Sequence, residues 1–558
     1  MISNLVRFSI NNRWVVIILT ALLAFAGWES FKRLPIDAVP DITNVQVQVN
    51  TQVEGRGPDE IERTVTYPLE TALNGVPGVT QVRSITRYGL SQVTIVFEEE
   101  TDIYKARQLV SERLQSISGQ LPNFVEPMLG PVSTGLGEIF HYVIEAEEIA
   151  VGEARLNQLT EIRAIQDWHV KPRLLTIKGV AEVNTIGGYE KQYHIEPDPI
   201  LMARYGLHFG DIENAIEKVN KNAGGGYVEQ TADQFIVQAS GLFESLEDIR
   251  DVPVKTLGNL KIISISDIAK VGLGKELRTG AALYNGREVV VGTALMLLGE
   301  NSREVSLRVA EQVEKIKKGL PKGFHIKTLY NRSDLVNATL GTVKHNLITG
   351  AALVIIILFF LVGNLRAALI TAIVIPISLL MTFILMRKYG ISGNLVSLGA
   401  LDFGIIVDGA VIVLDNCVRH IQDKTKSLGI KLSSREIKGT VHEATMEIRK
   451  SAGFGELIIV VVFLPVFAFV GIEGKMFIPM AATFIFAIIS ALALSFTFVP
   501  AMATLLLRGS VEDKDPLLMR WLEKIYSPVL NFSLKSRRLI LGGAVLAVVV
   551  GGLLFSRL

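Results

Sequence analysis

The sequence predicts a polytopic α-helical membrane protein that carries one large α+β insert outside the membrane. Three observations lead to this fold class. Hydrophobic residues make up 49% of the 558-residue chain, and only 20% of its residues are charged. The charges are unevenly spread, because long apolar runs lie before residue 34 and after residue 337. Residues 34–337 alternate strand-like and helix-like patterns between these runs, as a soluble α+β domain does.

Composition also limits the class of partner. The formal net charge is +1, so the chain has no basic excess that would predict nucleic-acid binding. Membrane lipid is the expected surrounding of the apolar runs. The single cysteine, Cys417, can form neither an internal disulfide nor a cysteine-based metal cluster. We expect it to be a small packed residue at a helix end.

Residues 1–33 are predicted to form a short basic N-terminus and the first membrane span. The apolar run from Trp14 to Trp28 has tryptophan at both ends, which is typical of helix ends at the two membrane interfaces. A cleaved signal peptide is the alternative, since Ala24-Phe-Ala26 resembles a cleavage site. Bulky residues follow that tripeptide and more apolar runs come later, so an uncleaved span is favoured.

Residues 34–337 are predicted to form the insert, and its first part has the order β-α-β-β-α. The predicted strands alternate in polarity or are short apolar runs, and Pro58 suits the first turn of a helix. These elements are a strand at Val45–Val49, a helix at Pro58–Leu73, strands at Val79–Ile85 and Gln92–Phe97, and a helix at Asp102–Ile117.

A second copy of this pattern follows. Gly78-Val-Thr-Gln-Val82 is echoed by Gly179-Val-Ala-Glu-Val183, and each segment is expected to follow a helix and to open a hairpin. The duplication predicts two ferredoxin-like units built of split β-α-β motifs. The predicted elements are Phe140–Glu145, Leu156–Ile177, Val180–Ile186, Gln192–Glu196, Asp211–Val219, Val289–Met296, Ser302–Lys317 and His325–Leu329.

Residues 338–507 are predicted to hold membrane spans two to six, with a loop at 416–452. The predicted spans are Leu347–Val362, Ala367–Met386, Leu395–Leu414, Leu457–Ile472 and Met476–Leu507. Residues 508–538 read as an amphipathic segment on the membrane surface, and 539–558 as a seventh span. This layout resembles the first half of a tandem duplication, followed by the first span of a second half.

The basic loops predict the orientation. Between Asn416 and Lys450 there are eight Lys and Arg residues against four Asp and Glu. The positive-inside rule places this loop, the segment 508–538 and the N-terminus in the cytoplasm. One span then separates the N-terminus from the insert, so residues 34–337 are expected in the periplasm.

Acidic residues interrupt the apolar run at Leu395–Leu414. Asp402 and Asp408 lie inside it and Asp415 lies at its end. A charged side chain at the bilayer centre costs at least about 2.5–3.5 kcal/mol, so such residues usually face a cavity or a partner. Asp408 and Asp415 are seven residues apart and share a helix face, while Asp402 is about a third of a turn away from it. The pattern favours a proton or cation relay. An ion pair that only assembles helices is the alternative, and Asp415 could simply reach water.

Several motifs together resemble the resistance-nodulation-division efflux pumps, and within them the heavy-metal efflux branch. The acidic span carries the strongest likeness, because Asp402-Phe-Gly404 with Asp408-Gly409 looks like the cobalt-zinc-cadmium type. The multidrug branch has two adjacent acids at 408–409. The further motifs are Leu34–Thr51, Val65–Glu70, Gly75–Gly78, Tyr88–Ser91, Thr101–Arg113, Gly130–Glu138 and Asp167-Trp168.

The resemblance implies a function and a site. Similar pumps are secondary transporters, not enzymes, and use a proton gradient to export divalent cations: cobalt, zinc, cadmium and, as a further candidate, nickel. It implies a proton relay at Asp402, Asp408 and Asp415, although the family usually has Glu at the third position. It also implies a multi-pass inner-membrane homotrimer that works with a periplasmic adaptor and an outer-membrane channel, and a periplasmic porter and docking domain at 34–337. No cofactor is implied beyond the transported metal and the proton gradient.

Metal ligands are not predicted from the sequence. Divalent cations of this kind prefer His and carboxylate ligands, but His141, His194, His208 and His325 lack a ligand-like spacing. Each is expected to be an ordinary surface or packed residue. The residues leave two alternative functions open. The protein could be a multidrug or organic-solute exporter of the same superfamily, or a non-transporting half-length membrane scaffold.

Overall fold

The computed structural model describes residues 2–37, 40–123, 125–230, 233–258, 261–278, 280–362, 365–399, 403–428, 432–507 and 517–555. The chain forms two compact units. The first comprises Met1–Gly130, Glu300–Arg303 and Ser333–Leu558, and the second comprises Pro131–Gly299 and Glu304–Arg332. The first unit therefore contains both the helices at the chain ends and the first sheet.

The first unit begins with two helices and continues into a four-stranded antiparallel sheet. In the sheet the order is β2-β3-β1-β4. The elements are α1 Ile2–Asn11, α2 Arg13–Lys32, β1 Gln46–Gln52, α3 Pro58–Ile61, α4 Tyr67–Leu73, β2 Val79–Arg87, β3 Leu90–Phe97, α5 Ile103–Ile117 and β4 Pro127–Leu129. The elements predicted from Val45 to Ile117 are confirmed, with a π-helical turn at Glu62–Thr66 between α3 and α4.

The core of this sheet follows from its alternating pattern. Val49 on β1 pairs with Val93 on β3 and with Leu129 on β4. Val49 and Val93 are fully buried, as are Leu69 on α4 and Val110 on α5. Alternate residues of a strand point to the same face, so both helices cover one face of the sheet.

The second unit contains a larger antiparallel sheet and an inserted segment. Its elements are β5 Glu138–Ala146, α6 Glu153–Ile165, α7 Lys171–Leu175, β6 Val180–Ile186, β7 Lys191–Pro197, α8 Pro199–Tyr205, α9 Phe209–Val219, β8 Ala223–Gln230, β9 Asp233–Ala239, α10 Leu246–Arg250, β10 Pro253–Thr256, β11 Ile262–Ser264, β12 Ala269–Lys275, β13 Ala282–Tyr284, β14 Arg287–Met296, α11 Ser302–Lys317 and β15 Phe324–Asn331. In the main sheet, β14 pairs with β13, β5 and β6, and β5 also pairs with β15. The order β6-β14-β5-β15 repeats, strand for strand, the order of the first sheet.

The prediction that a hairpin opens at Gly179 is wrong. β6 pairs with β14, as in Val183 against Ala294, whereas the next strand along the chain, β7, pairs with β12. Gly187 and Gly188 both have positive φ angles and direct the chain out of the sheet. The residues that follow form a separate hydrophobic core, which includes Met202, Ile212, Ile249, Ile263 and Val271. That core keeps β7 away from β6.

The remaining helices belong to the first unit. They are α12 Arg332–Val362, α13 Leu365–Lys388, α14 Leu395–Gly399, α15 Phe403–Leu428, α16 Ser434–Phe463, α17 Gly471–Phe496, α18 Phe498–Leu506, α19 Leu517–Lys535 and α20 Arg537–Phe555. α15 and α16 continue through most of the predicted loop 416–452. The predicted amphipathic segment 508–538 is described only from Leu517 onward, and α19 runs through Pro528.

Four of the described helices are long and apolar enough to cross a membrane: Arg13–Lys32, Leu365–Lys388, Gly471–Phe496 and Arg537–Phe555. Val396–Leu428, which contains α14 and α15, is a fifth candidate. A sixth candidate is the pair Ser434–Ile448 and Gly453–Ala468, which is bent by 42°. A shorter apolar stretch of α12, Ile348–Ile357, lies where the sequence predicts the second span. The seven predicted spans thus fall on five full-length candidates, one bent pair and one shorter apolar stretch.

Candidate site on the acidic helix

Helix α15 has one face that the chain covers and one that it leaves open. Its buried side includes Val407, Ala410, Val413, Leu414 and Cys417, which pack against residues of neighbouring helices. Between Gly404 and Arg419, the exposed positions are Gly404, Asp408, Ile412, Asp415 and Arg419. These positions follow helical spacing and so form a single stripe along the helix.

Two of the three predicted relay residues lie on this open stripe. Asp408 and Asp415 are both exposed within the chain, and seven residues of α-helix separate them by about 10 Å along the axis. Asp402 lies outside the described residues. The predicted shared face of Asp408 and Asp415 is confirmed, whereas their role as a relay stays a prediction.

A fourth acid, Glu456, lies beside this helix and was not predicted. It belongs to α16, eight residues after Ile448, where the first half of the bent pair ends. Its residue is only 5% exposed. In the part of the chain that the structure describes, neither carboxylate oxygen of Glu456 has a hydrogen-bond partner. Buried carboxylates are usually paired or hydrogen-bonded, so this side chain is unusual.

Gly409 makes room for the Glu456 side chain. A Cβ atom added at Gly409 would overlap Oε1 of Glu456 and lie 2.8 Å from its Cδ. The same Cβ would lie 3.4 Å from the hydroxyl oxygen of Ser495 on α17. The Ser495 hydroxyl donates to the Ala491 carbonyl at 2.8 Å, within its own helix. Glu456 therefore occupies a space between α15 and α17 that exists because residue 409 has no side chain.

Asp408 is the acidic residue of α15 next to Glu456. The two carboxyl groups are close enough to interact electrostatically, and Asp408 directly precedes Gly409. α17 presents no ionisable residue between Phe477 and Phe496. The environment thus contains two acids and, among the described residues, no basic group that is paired with Glu456.

Sequence reasoning missed Glu456 because it lies at the edge of an apolar run. The predicted fifth span begins at Leu457, which leaves Glu456 in the loop before it. One signal was present: Ser433 and Glu436 form a capping box that starts a helix, and helical spacing continues without a proline until Pro465. A continuous helix from Ser434 would have carried Glu456 into the bundle.

At the other end of the stripe, Asp415 lies in a more polar environment. Arg419 lies one helical turn further along α15 and is exposed, as Asp415 is. The neighbouring Asn416 donates to the Ala444 carbonyl at 3.0 Å and to Glu447 Oε2 at 3.2 Å, and His420 Nε2 lies 2.7 Å from Glu447 Oε2. These contacts fix α15 against the first half of α16.

The four histidines considered as metal ligands all lie in the second unit and have ordinary local partners. His141 contacts Thr293 at 3.0 Å and Glu138 at 3.6 Å, and His325 lies 3.5 Å from Glu145. His194 contacts Gln192 at 3.1 Å, and His208 caps α9. Within the described ranges, no three His, Cys, Asp or Glu residues lie together as a metal site would require.

The fold and the site together define the class of protein. Its apolar helices form a bundle in which carboxyl groups lie on and beside one helix, and the same chain also forms antiparallel sheets covered by helices. The profile of the AcrB/AcrD/AcrF family matches residues 5–558, and the chain belongs to that family. The resemblance to the resistance-nodulation-division pumps is thereby confirmed.

Individual relatives come from the heavy-metal branch. The chain is 48% identical over 550 residues to protein HelA of Legionella pneumophila, covering 99% of this chain and 52% of that protein. It is also 48% identical over 559 residues to the cobalt-zinc-cadmium resistance protein CzcA of Cupriavidus metallidurans, covering 100% of this chain and 52% of that protein. The chain therefore spans about half the length of these relatives.

A solved structure agrees with these matches. The crystal structure of a heavy metal efflux pump, in its second crystal form, superposes with a TM-score of 0.82 at 34% identity. The superposition covers 97% of this chain and 51% of that one. The fold of the described chain is thus that of one half of such a pump.

Proposed function

We propose that the protein exports divalent heavy-metal cations in exchange for protons, as a secondary transporter and not as an enzyme. The observation that carries this proposal is the stripe of Asp408 and Asp415 on a helix apolar enough to span the membrane. The relatives named for cobalt, zinc and cadmium resistance support the same cargo. Cobalt, zinc and cadmium are the first candidates, and nickel follows from a relative named for nickel, cobalt and cadmium resistance.

The stripe suits a proton relay for a physical reason. A protonated carboxyl is neutral and tolerates apolar surroundings, whereas an ionised one needs a partner or water. Each change of protonation alters which neighbour the helix favours, so it can shift a two-state helix packing. Asp402, Asp408 and Asp415 are the proposed relay residues, and transported metal and protons are the only small species required. The stripe is open within this chain, so we propose that further helices of the pump cover it.

The family also supports a proposal for the assembly. We propose a multi-pass inner-membrane protein that acts as a homotrimer with a periplasmic adaptor and an outer-membrane channel. Residues 34–337 would then form the periplasmic porter and docking domain. The two sheets of that region share one strand order and a β-α-β-β-α-β sequence of elements, which supports the assignment of two ferredoxin-like units. In the second unit, residues 187–284 interrupt the motif.

A metal-tolerance assay tests the function. The protein is expressed at full length from its own gene in a metal-sensitive host, as wild type and as Asp408→Asn, which is nearly isosteric but cannot carry the proton. Asp423→Asn is the matched control, because Asp423 is an exposed acid further along the same helix. We expect wild type and the control to restore growth in zinc or cobalt, and Asp408→Asn at equal expression to fail.

The other outcomes each point elsewhere. Equal protection by Asp408→Asn would show that Asp408 is structural and would contradict the relay. Protection against organic toxicants alone would reassign the protein to the multidrug branch. Protection against neither class by the wild type would favour a non-transporting scaffold.

A further inference from the structure

Glu456 is a buried carboxyl group that the proposed relay does not use. It is 5% exposed, and both of its oxygens lack hydrogen-bond partners in the described part of the chain. Leaving an ionised group buried without a partner strongly destabilises a protein. Such a group normally avoids this cost by holding a proton.

The surroundings of Glu456 indicate where that proton would be exchanged. Among the described residues, the titratable group that α15 brings against it is Asp408. α17 contributes the Ser495 hydroxyl but no ionisable residue from Phe477 to Phe496. On its own helix, the nearest acid before the bend is Glu447, whose carboxylate is engaged by Asn416 and His420. Two neighbouring carboxyl groups in an apolar environment do not ionise independently.

Resting on the proposed function, we propose that Glu456 is a further proton-binding residue of the pump, coupled to Asp408 beside Gly409 so that the two carry at most one negative charge. Proton release from one member then requires the other to be neutral. Because Asp408 is on the open stripe and Glu456 is buried between α15 and α17, the coupling links the surface of the acidic helix to the interior of the bundle.

A purely structural role is the alternative, and the contacts argue against it. A structural buried acid is held by hydrogen bonds or an ion pair, and Glu456 has neither among the described residues. A packing role would be served equally by glutamine, which has the same shape. Glutamine cannot release a proton, so the Glu456→Gln variant separates the two roles.

Chemical labelling tests directly whether Glu456 holds a proton, and it does not depend on transport. A protonated carboxyl adds its O–H across a C=N bond of a hydrophobic carbodiimide to give an O-acylisourea. Acyl transfer from oxygen to nitrogen then gives a stable N-acylurea that stays attached to the protein. The full-length protein is treated in membranes, and the peptide that contains residue 456 is examined by mass spectrometry. We expect labelling at Glu456 in the wild type, none in Glu456→Gln, and weaker labelling at the same pH in Asp408→Asn, which removes the neighbouring negative charge.

Transport provides the second readout. We expect Glu456→Gln to lower metal-driven proton flux in proteoliposomes at least tenfold and Glu456→Asp to restore part of it. Ser490→Ala, which removes a buried hydroxyl from α17, should keep the wild-type flux. Failure of the wild type to move metal would contradict the proposed export but would not affect the labelling result. Absence of labelling at Glu456 at every pH, or wild-type flux and pH dependence in Glu456→Gln, would overturn the inference.

Discussion

Gly409 on α15 and Glu456 on α16 occupy one space: a Cβ atom at residue 409 would overlap Oε1 of Glu456 and lie 2.8 Å from its Cδ. Gly455, next to Glu456 in sequence, has nothing within 4 Å of its Cβ position. The two glycines therefore differ in their surroundings, although both lie inside long helices.

This difference predicts opposite effects of one methyl group. Gly409→Ala must displace the Glu456 carboxyl and is expected to destabilise the bundle by about 1–3 kcal/mol and to impair metal tolerance. Gly455→Ala should be neutral or stabilising by up to about 1 kcal/mol, since alanine favours the helix. Thermal unfolding in detergent and growth in zinc measure both effects. Combining Gly409→Ala with Glu456→Ala should recover stability but not transport, and no recovery would contradict the assigned contact.

A second glycine determines how closely two candidate membrane-spanning helices, α2 and α13, pack. A Cβ at Gly27 on α2 would lie 2.6 Å from the backbone carbonyl carbon of Leu380 on α13 and 2.7 Å from its Cβ. Small residues allow membrane helices to approach closely, so Gly27→Ala is expected to destabilise the α2–α13 contact by about 1–3 kcal/mol. Gly341→Ala on α12, where nothing lies within 4 Å, is the control. Equal unfolding temperatures in detergent for the two variants would refute this close packing.

Tyr142 joins the core of the second unit to a polar network. Its buried hydroxyl donates to Gln166 Oε1 at 2.9 Å, and Gln166 Nε2 donates to Thr185 at 3.3 Å. Tyr142→Phe would leave Gln166 Oε1 without this donor and is expected to cost about 1–3 kcal/mol. Tyr193→Phe, at a site 57% exposed, should have no such effect. Pulse proteolysis in urea, with fragments from residues 131–332 identified by mass spectrometry, compares the two.

Tyr142 also predicts a pH dependence. Burial raises the pKa of Tyr142 above its usual value, so the folded state keeps the phenol neutral at pH values where the unfolded chain ionises. This stabilisation is complete below the unfolded pKa of about 10 and is lost as the pH rises above it. The Tyr142→Phe protein should show a smaller loss of stability across that range than the wild type. An identical alkaline decline in both proteins would show that Tyr142 does not contribute.

Local sequence predicted the strands and helices well but predicted only part of the strand pairing. Val79–Arg87 and Leu90–Phe97 form the expected hairpin, because only Tyr88 and Gly89 separate their paired ends. Val180–Ile186 has the same local pattern, yet its partner is the distant segment Arg287–Met296. The intervening core of residues such as Ile212 and Ile263 decides this, and its packing is a long-range property that periodicity does not encode.

The sequence likewise predicted only part of the candidate site. The shared face of Asp408 and Asp415 follows from helical spacing alone, and the structure places both on the open stripe of α15. Glu456 depends instead on how α16 packs against α15 and α17. A side chain that fills the space above a glycine of another helix leaves no trace in its own local pattern, so the tertiary structure was needed to find it.

The position of each acid along α15 predicts how strongly its substitution reduces zinc tolerance. Asp408 lies inside the apolar run beside Gly409, whereas Asp415 lies at its end, with Arg419 one turn further on. An acid at the end of an apolar run can reach water, so its protonation state contributes less to helix packing than that of an acid inside the run. We therefore expect Asp415→Asn to reduce zinc tolerance less than Asp408→Asn does, and Asp423→Asn not to reduce it. Dose–response curves at matched expression measure this order. A larger loss in Asp415→Asn than in Asp408→Asn would contradict it and would place the limiting proton-transfer step at the polar end of the stripe.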